Sequence, residues 1–408
     1  MGHNRSRSWL TTNVVLLSLS SLFGDVSTEM LYPILPVFLT QVLGTGGSVV
    51  GLIDGIAQAT QNIVQGVSGS VSDRLQRRKP IALAGFLLAA LSKPLIGFAT
   101  AWPGVLGARF LDRVGAGTRS APRDALIAGS VPDADRGKAF GLESLGDNLG
   151  AFLGPLLAVL LLGVLHIEMR TIFYLAVIPG LLAVLVVSLV REERKPVADK
   201  VGIASKSKID VRIGRLPIGY RKYLVATALF GLGNSSNAFL ILRTQEAGVS
   251  VDNTILIYAG FNLVAALVSY PTGLLSDRFG RRNLLIGACG VFFLAYAGFA
   301  LTTNALLVAG LFVCYGAYQG IFRAAGKALA ADLVPAELRA GGIGWYSAVV
   351  GLTQLVASVA AGLLWDHLGH AAVFIFGTIF AATGAVAFAL LVPPDRRGAG
   401  RGITPPAA

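Results

Sequence analysis

The sequence predicts an all-α membrane protein whose twelve transmembrane helices form two six-helix bundles. Three observations lead to this fold class. Of the 408 residues, 54% are hydrophobic and 14% are charged, whereas an ordinary soluble domain carries about 25% charged residues. The runs 171–190 and 371–392 contain no charge, and about 20 mostly apolar residues suffice to cross a bilayer. Sequence signals also repeat in the two halves of the chain.

The composition excludes several classes of protein. Too little polar sequence remains to cover the surface of a soluble enzyme, and a disordered protein or a nucleic-acid binder would carry more charge. Cys289 and Cys314 lie in apolar runs without metal-ligand spacing, so neither a disulfide framework nor a zinc site is predicted. The sequence has no Gly-x-x-x-x-Gly-Lys-Ser/Thr motif, and we expect neither a cofactor nor a cleavable signal peptide.

Twelve segments are long and apolar enough to cross a bilayer, and we number them spans 1 to 12. Several carry one or a few charges, and charged side chains at membrane depth almost always face a protein interior or a cavity. The predicted spans cover residues 12–43, 47–70, 80–100, 103–129, 138–164, 170–190, 222–246, 252–274, 283–303, 305–332, 340–364 and 370–392.

Positive charges concentrate in every second connection between spans. The segment 191–222 holds ten Lys and Arg against four acids, while residues 44–48, 100–103 and 303–305 hold no Lys or Arg. The positive-inside rule therefore places both termini in the cytoplasm of a multi-pass protein of the cytoplasmic (inner) membrane. The net charge of +12 is then mostly topological and requires no nucleic acid. We call the side with the positive connections the basic face and the opposite side the neutral face.

The segment 191–222 is the one sizeable polar stretch of the sequence, and it mixes charges with Ser, Gly and Pro. We interpret it as a linker between two halves. The predicted domains are an N-terminal six-helix bundle over residues 1–190, a cytoplasmic linker over 191–221, and a C-terminal six-helix bundle with a short cytoplasmic tail over 222–408.

Two sequence signals repeat at half the length of the chain. The ten residues from Gly69 (GSVSDRLQRR) match those from Gly273 (GLLSDRFGRR) at an offset of 204 residues. The segment VPDADRG, from residue 131, precedes VPAELRA, from residue 334, by 203 residues. The repeat predicts two similar bundles related by an axis along the membrane normal, with a cavity between them that opens to either side by rocking.

The Gly-x-x-Ser-Asp-Arg-x-x-Arg-Arg pattern between spans 2 and 3 resembles the signature loop of the major facilitator superfamily. The twelve spans, the duplicated halves and the long central loop extend the resemblance over the whole chain. The resemblance implies the fold of that superfamily, transport by alternating access, and a substrate site near mid-membrane between the halves. The motif pattern is most similar to that of bacterial drug/proton antiporters.

The resemblance also implies a conformational gate on the basic face. The repeated aspartates would brace the fifth span of the opposite half in the outward-facing state, and Arg78 and Arg282 would each pair with an acid at the end of the fourth span of their half. That acid is Asp332 in the second half; in the first half it is left open between Asp124, Asp133 and Asp135. The alternative is that the loops only signal topology. The predicted gate residues are Gly69, Asp73, Arg74, Arg78, Asp124, Gly273, Asp277, Arg278, Arg282 and Asp332.

Span 5 has a spacing of small residues similar to the antiporter motif of the drug exporters. The motif residues are Gly141, Gly150, Gly154 and Pro155. Small residues four positions apart let helix backbones approach closely, and a proline loosens the local hydrogen bonds of the helix. The family motif would continue with Gly-Gly where Ala158 and Val159 stand, so the match is partial. It favours export, with generic helix packing as the alternative.

Ionisable residues at membrane depth indicate function, because each costs at least about 2.5–3.5 kcal/mol to insert. Asp25 and Glu29 lie one helical turn apart on span 1 and share a face. Two close carboxylates in a site of low dielectric constant can load and release a proton near neutral pH, with a salt bridge to span 4 as the alternative. Pro33 and Pro36 follow and are expected to kink the span.

Span 4 is the most charged span of the sequence. Arg109 and Arg113 are one turn apart and are expected to face inward, and Arg109 matches the position of the fourth-span arginine that the superfamily uses in proton coupling. Arg119, Arg123 and Asp124 are interpreted as interface or gate residues. We expect acids of spans 1 and 5 to pair with span 4 arginines. The predicted proton-coupling residues of a central cavity are Asp25, Glu29, Lys93, Arg109, Asp112, Arg113, Glu143 and Asp147.

The second half carries fewer charges at membrane depth, and we expect it to shape substrate contacts. Its substrate-cavity candidates are Arg243, Gln319, Arg323 and Lys327. The sequence favours a proton-coupled secondary transporter that exports a small organic compound; the alternative is proton-coupled uptake of a small organic anion held by basic side chains. Few His, Cys and Met residues argue against a metal exporter. We expect a functional monomer with no enzymatic activity, whose partners are its substrate, protons and the lipid bilayer, without an obligate protein partner.

Overall fold

The computed structural model describes residues 10–75, 77–132, 135–192, 216–335 and 338–394. Within these ranges the regular structure is helical and no strand is found. Helices are expected because apolar segments in lipid must satisfy their backbone polar groups internally. The predicted fold class, twelve transmembrane helices in two six-helix bundles, is confirmed. The domain boundaries at 190 and 221 stay a prediction, since residues 193–215 lie outside the described ranges.

The first half contains spans 1 to 6, and the predicted kink in span 1 is present. Residues 30–33, which include Pro33, interrupt the helix, and Pro36 follows in the next helical segment. Each proline removes a backbone donor. The helices are Thr12–Glu29, Ile34–Val37 and a π-helical turn Phe38–Val42 (span 1), Gly47–Leu75 (span 2), Arg78–Phe98 (span 3), Trp102–Gly129 (span 4), Arg136–Val159 with a π-helical turn Leu160–Val164 (span 5), and Met169–Leu175 with Val177–Leu189 (span 6).

The second half contains spans 7 to 12, and span 7 is broken in the middle. Residues 232–237, with the sequence LGNSSN, form no helix, because Gly, Asn and Ser favour turns over helix interiors. The predicted span over 222–246 is therefore divided into two helices. The helices are Ile218–Gly231 and Ala238–Glu246 (span 7), Val251–Phe279 (span 8), Arg281–Leu301 (span 9), Ala305–Asp332 (span 10), Arg339–Leu368 (span 11) and His370–Leu391 (span 12).

Nine of the helical spans in the described residues are long and apolar enough to cross a membrane. The other three are spans 2, 4 and 7. Span 4 carries six charged side chains, span 2 carries four amide side chains and Asp54, and span 7 is divided. All three supply polar groups to the interior of the bundle.

The two halves meet where span 2 packs on span 11 and span 5 packs on span 8. Glycines allow the close approach of spans 2 and 11: a Cβ atom on Gly362 would lie 2.6 Å from the carbonyl oxygen of Gly47, and one on Gly55 would lie 3.2 Å from the Cα of Leu355. Small residues at a helix interface have this effect in membranes.

The neutral face is closed by contacts between the halves. The Asp366 carboxylate, near the end of span 11, accepts hydrogen bonds from the backbone N–H groups of Gly47 (2.6 Å) and Ser48 (2.9 Å). These are orphan donors at the start of span 2. Near mid-membrane, Asn262 of span 8 donates to the carbonyl of Ala151 on span 5 (2.9 Å). These contacts between the halves run from the neutral face to the middle of the membrane, so the expected cavity between the halves is closed on the neutral side.

Candidate functional site

A buried ion cluster lies on spans 3 and 4. The Asp112 carboxylate is 3.1 Å from Lys93 Nζ, 2.9 Å from Arg109 Nη1 and 3.4 Å from Arg113 Nε. Lys93, Arg109 and Asp112 are each 2% exposed. Burial of charges at this depth is tolerated only when they are paired, so one carboxylate holds three cations inside the first half.

Arg119 pairs with span 1, nearer the basic face. Its Nη2 is 3.1 Å from Asp25 Oδ1, and its guanidinium lies 4.5 Å from the centre of the Phe86 ring. The Asp25 side chain is 26% exposed, compared with 9% for Arg119. The carboxylate is therefore the accessible member of the pair.

Arg123 is the centre of a second cluster, between spans 1, 4 and 5. It lies 2.7 Å from Glu143 and 3.5 Å from Asp147, and it also contacts its neighbour Asp124 at 3.1 Å. Its Nη1 donates to Ser21 Oγ (2.8 Å), and that hydroxyl donates to Glu143 (3.1 Å). The expected pairing of span 1 and span 5 acids with span 4 arginines is thus present, although Arg119 and Arg123 make it rather than Arg109 and Arg113.

Asp25 and Glu29 have separate partners in spite of their shared helix face. The Glu29 carboxylate accepts a hydrogen bond from the Tyr258 hydroxyl of span 8 at 2.8 Å. Arg113 donates to Gln61 of span 2 at 2.9 Å. Asp25 therefore forms a salt bridge to span 4, which was the alternative to two close carboxylates that load and release a proton. Glu29 instead connects the first half to the second.

Asp54 of span 2 belongs to this site, although it was not among the predicted site residues. Its Oδ2 accepts hydrogen bonds from Ser236 Oγ of span 7 (2.5 Å) and from the Tyr32 hydroxyl (3.2 Å). Its Oδ1 lies 3.6 Å from Arg109 Nη2. The available signal was an acid inside a predicted span, which marks a functional position by itself.

Arg243 does not line the cavity in this conformation, contrary to the prediction. The residue is 2% exposed, and its guanidinium donates to the backbone carbonyls of Phe299 and Thr302 at the end of span 9. Glu246 lies 3.6 Å away. Arg243 therefore anchors span 7 to the end of span 9, because unpaired carbonyls at a helix C-terminus attract a cation.

The other candidates of the second half form a stripe on span 10. Arg323 and Lys327 are one helical turn apart and exposed, and Gln319 is half-buried one turn earlier. Arg323 lies within electrostatic reach of Glu29, and Lys327 within reach of Asp124. The stripe thus faces the charged residues of the first half across the cavity.

The gate residues are described in part. The side chains of Asp73, Arg74 and Asp277, and residue Asp133, lie outside the described residues, as does the environment of Gly273. Gly69 approaches Ala121 of span 4: an added Cβ would lie 3.3 Å from that of Ala121.

In the first half, Arg78 is held by a backbone carbonyl and by an acid after span 6. Its Nη1 donates to the Ala125 carbonyl (3.2 Å), and its backbone N–H donates to Glu192 (2.8 Å). Asp124 pairs with Arg123 at 3.1 Å, and Asp135 pairs with Lys138 at 3.0 Å. Each of these two candidate acids thus has a basic partner of its own.

In the second half Asp332 contacts Arg281 instead of the expected Arg282. Arg281 lies 2.5 Å from Asp332, whereas Arg282 donates to the carbonyls of Phe388 and Ala389 at the end of span 12. Consecutive helix residues point about 100° apart, so the two arginines reach different spans. Arg278 lies over the ring of Phe279, 5.5 Å from its centre.

The small residues of span 5 pack against span 1. A Cβ atom on Gly150 would lie 2.6 Å from the Leu22 carbonyl oxygen, and one on Gly154 would lie 2.8 Å from the Met30 nitrogen. Gly146 makes the same kind of contact with Ser18, while nothing lies within 4 Å of a Cβ on Gly141. The packing motif is therefore Gly146, Gly150 and Gly154, and the inclusion of Gly141 was wrong. The helix continues through Pro155 to Val159.

In the described part of the chain, no group of three or more His, Cys, Asp or Glu side chains is arranged to hold a metal ion. The described contacts of the site are ion pairs and hydrogen bonds between helices. Such a set can move protons and bind charged solutes, since its partners are exchangeable.

Comparison with known proteins gives related sequences over almost the whole chain. An uncharacterised MFS-type transporter of Methanocaldococcus jannaschii is 34% identical over 93% of this chain and 94% of its own. A probable 4-methylmuconolactone transporter of Cupriavidus pinatubonensis is 28% identical over 88% of this chain and 85% of its own. The multidrug resistance protein MdtG of Escherichia fergusonii is 28% identical over 68% of this chain and 69% of its own.

A solved structure with the same fold is that of a point mutant of the nucleoside transporter NupG. It superposes with a TM-score of 0.76 and 14% sequence identity, and the match covers 93% of this chain and 100% of that one. The model of the Major Facilitator Superfamily matches residues 17–241 and 223–406. Related proteins are membrane transporters rather than enzymes. The chain belongs to the major facilitator superfamily.

Proposed function

We propose that this transporter exports a small organic compound by alternating access and couples export to proton entry. In this proposal both termini lie in the cytoplasm, and a monomer in the cytoplasmic (inner) membrane is the working unit. The observation that carries the proposal is an excess of carboxylates in the cluster nearest the basic face. There Arg119 and Arg123 meet the four acids Asp25, Asp124, Glu143 and Asp147.

Proton exchange follows from this excess of negative charge. Two guanidinium groups neutralise two carboxylates, and a further carboxylate at membrane depth is stabilised by taking a proton. Asp25 and Asp147 are 26% and 33% exposed in their side chains, so a proton from the cavity can reach them. Protonation of Asp25 would weaken its contact with Arg119 and release span 1 from span 4.

Export is supported by two further observations. Gly146, Gly150 and Gly154 bring span 5 close to span 1, as in the antiporter motif that span 5 resembles. The relative MdtG carries the name of a multidrug resistance protein. The boundaries at residues 190 and 221, and the gate roles of Asp73, Arg78, Asp277 and Arg282, belong to the same proposal.

Transport by reconstituted protein tests the proposal. Proteoliposomes with an imposed pH gradient would be mixed with ethidium or benzoate as probes, and uptake into inside-out oriented vesicles would be followed with the gradient present and after its collapse. We expect gradient-dependent accumulation of a probe on the side that corresponds to the cell exterior. Equal accumulation after collapse would rule out proton coupling, and movement with the protons would rule out export.

A second candidate, proton-coupled uptake of a small organic anion, is favoured by the span 10 stripe. Arg323 and Lys327 are exposed to the cavity, and a guanidinium beside an ammonium suits a carboxylate or a phosphate. Under this candidate the R323Q/K327Q variant would lose benzoate transport and keep ethidium transport. The reverse pattern, or equal losses, would exclude an anion site on span 10.

A further inference from the structure

The contact between Asp54 and Ser236 joins the two halves at a break in a helix. Asp54 lies on span 2 and is 5% exposed, and Ser236 lies in the non-helical residues of span 7 and is fully buried. The Ser236 hydroxyl donates to Asp54 Oδ2 at 2.5 Å. The same hydroxyl oxygen accepts from the N–H of Ala238 (3.0 Å), so its proton is free to point at the carboxylate.

The break in span 7 is held from its other side by span 11. The backbone N–H of Ser236 donates to Ser358 Oγ at 3.1 Å, and Ser358 is fully buried. Ser358 lies on the stretch of span 11 that packs on span 2, where a Cβ on Gly51 would come 2.9 Å from the Ser358 carbonyl carbon. Ser236 is therefore fixed where spans 2, 7 and 11 meet, inside the closed neutral face.

Arg109 is poised beside the same carboxylate. Its Nη1 donates to Asp112 (2.9 Å), but its Nη2 and Nε are buried and have no hydrogen-bond partner among the described residues. Nη2 lies 3.6 Å from Asp54 Oδ1, which is beyond the length of a hydrogen bond. A buried guanidinium donor without an acceptor is costly. Ser236 contacts the other oxygen, Oδ2, so a change in the orientation of the carboxylate is what separates Arg109 Nη2 from a hydrogen bond with Oδ1.

We propose that Asp54 is a shared acceptor that changes partner during transport. With the neutral face closed, the carboxylate is held by Ser236 of the second half. When that face opens, Ser236 withdraws with span 7, and Asp54 turns to Arg109 Nη2 and completes the hydrogen bonding of the guanidinium. Asp54 is thus a positioning residue: it acts through Arg109 and connects the ion cluster around Asp112 to the closure of the neutral face.

The other groups around Asp54 do not provide this exchange. Tyr32 lies on span 1, in the same half, and its hydroxyl donates at 3.2 Å to the oxygen that Ser236 contacts. The Tyr32 ring also lies 5.9 Å below the Arg109 guanidinium. Tyr32 therefore belongs to the same half as Asp54 and Arg109, while Ser236, of the other half, is the partner that leaves.

The proposal gives opposite expectations for two variants. Ser236→Ala removes the partner of the closed state and keeps the charge of Asp54, so the ratio of open to closed molecules should rise about tenfold, as the loss of one hydrogen bond to a charged acceptor predicts. Asp54→Asn keeps an acceptor oxygen for Ser236 but cannot form an ion pair with Arg109. This variant should leave the ratio unchanged or lower it.

Distance measurement between spin labels on the neutral face tests both expectations in the full-length protein. Labels at Thr100→Cys and Thr303→Cys occupy exposed positions in connections of opposite halves; the exposed Cys314 is replaced by Ala, and Cys289 is buried. Double electron–electron resonance in nanodiscs then gives the open and closed populations. Glu168→Gln, an exposed acid on the same face, is the matched control and should change nothing.

Each other outcome overturns the proposal. An unchanged distance distribution in the Ser236→Ala variant would show that Ser236 does not hold the face closed. An increase of the open population in Asp54→Asn as large as in Ser236→Ala would show a simple latch without exchange to Arg109. A monodisperse elution profile of each variant establishes that it is folded, and neither outcome depends on proton coupling or on the identity of the substrate.

Discussion

The two halves share one helical architecture but fill their interiors with different chemistry. The first half buries Lys93, Arg109 and Asp112, whereas the second half buries a continuous aromatic cluster, in which Phe292 stacks on Tyr296 with ring centres 3.9 Å apart. The aromatic residues of that cluster include Tyr220, Tyr223, Phe230, Tyr258, Phe261, Phe292, Tyr296, Phe299, Phe312, Tyr315, Tyr318 and Phe322.

This difference indicates a division of labour between the halves. Ion pairs in the first half can exchange partners and protons with a small change of position. Packed aromatic rings in the second half contact each other through large apolar areas and resist rearrangement. Glu29 with Tyr258, and Asp54 with Ser236, connect the two regions. Under our proposal, movement of charge in the first half is transmitted through these contacts to the second half.

The largest expected effect is the loss of the shared anion of the first half. Asp112→Ala leaves Lys93, Arg109 and Arg113 without their common carboxylate, and breaking a buried ion pair costs about 3–5 kcal/mol. We expect the thermal midpoint of the variant in detergent to fall strongly. Size-exclusion chromatography after heating measures the folded fraction that remains. Asp135→Asn, in an ion pair nearer the surface, is the control. A thermal midpoint equal to that of the control would contradict a structural role for the cluster.

Removal of one aromatic ring should destabilise the second half through the loss of packing contacts alone. Phe292 is fully buried and contacts Phe230, Tyr296 and Tyr318. Phe292→Ala should therefore cost about 3 kcal/mol, at the lower limit for such truncations. The same thermal assay measures the loss, and Phe292→Leu should recover most of it. The proton dependence of transport should stay intact; its disappearance would argue against the division between halves.

Neutralisation of one accessible carboxylate should affect coupling more than stability. Asp25 is partly exposed, so Asp25→Asn should keep the fold while reducing gradient-driven transport about tenfold. Ethidium or benzoate movement in proteoliposomes provides the measurement. Glu168→Gln, which removes the same charge elsewhere, is the control. Wild-type transport rates in the Asp25→Asn variant would exclude Asp25 from the coupling pathway.

The smallest effect is expected from a substitution at the neutral face, where spans 2 and 11 meet. Asp366 is exposed and accepts two backbone N–H groups at the start of span 2. Asp366→Asn weakens this cap, and the loss of such a cap costs about 0.5–1 kcal/mol. The open population of the neutral face should rise slightly, by less than in Ser236→Ala. A larger rise than in Ser236→Ala would place the main latch at the surface instead of at Asp54.

The sequence predicts the helices well because their signal is local. Runs of about 20 apolar residues and their flanking charges define nine spans to within several residues. The ends of the more polar spans 2 and 4 are also predicted to within several residues. Span 7 is the exception. Gly, Asn and Ser in LGNSSN disfavour a helix interior, but the contacts that hold the break come from Asp54 and Ser358 in distant spans, which the local sequence does not show. The kink of span 1 was predictable, since proline acts through its own backbone.

The sequence predicts which residues belong to the site better than it predicts which of them form pairs. Membrane depth marks Asp25, Glu143 and Asp147 as functional candidates from the sequence, but which arginine meets which acid depends on helix rotation and tilt. Spans 1 and 5 therefore meet Arg119 and Arg123 instead of Arg109 and Arg113, which lie about two to four turns earlier on the helix. The replacement of Arg282 by Arg281 at Asp332 has the same origin.

The central claim is that protons act on carboxylates of the first half and thereby shift the conformation of the whole transporter. The most direct test is the label pair on Thr100→Cys and Thr303→Cys, measured over the range from about pH 5 to pH 9 in the wild-type background and with Asp25→Asn. Asp25 is faced there by Arg119, Arg123, Asp147 and Glu29. The account predicts that the open and closed populations change with pH in the wild type and that Asp25→Asn reduces this change. Open and closed populations that do not change with pH, or a pH response that is the same in Asp25→Asn as in the wild type, would contradict it.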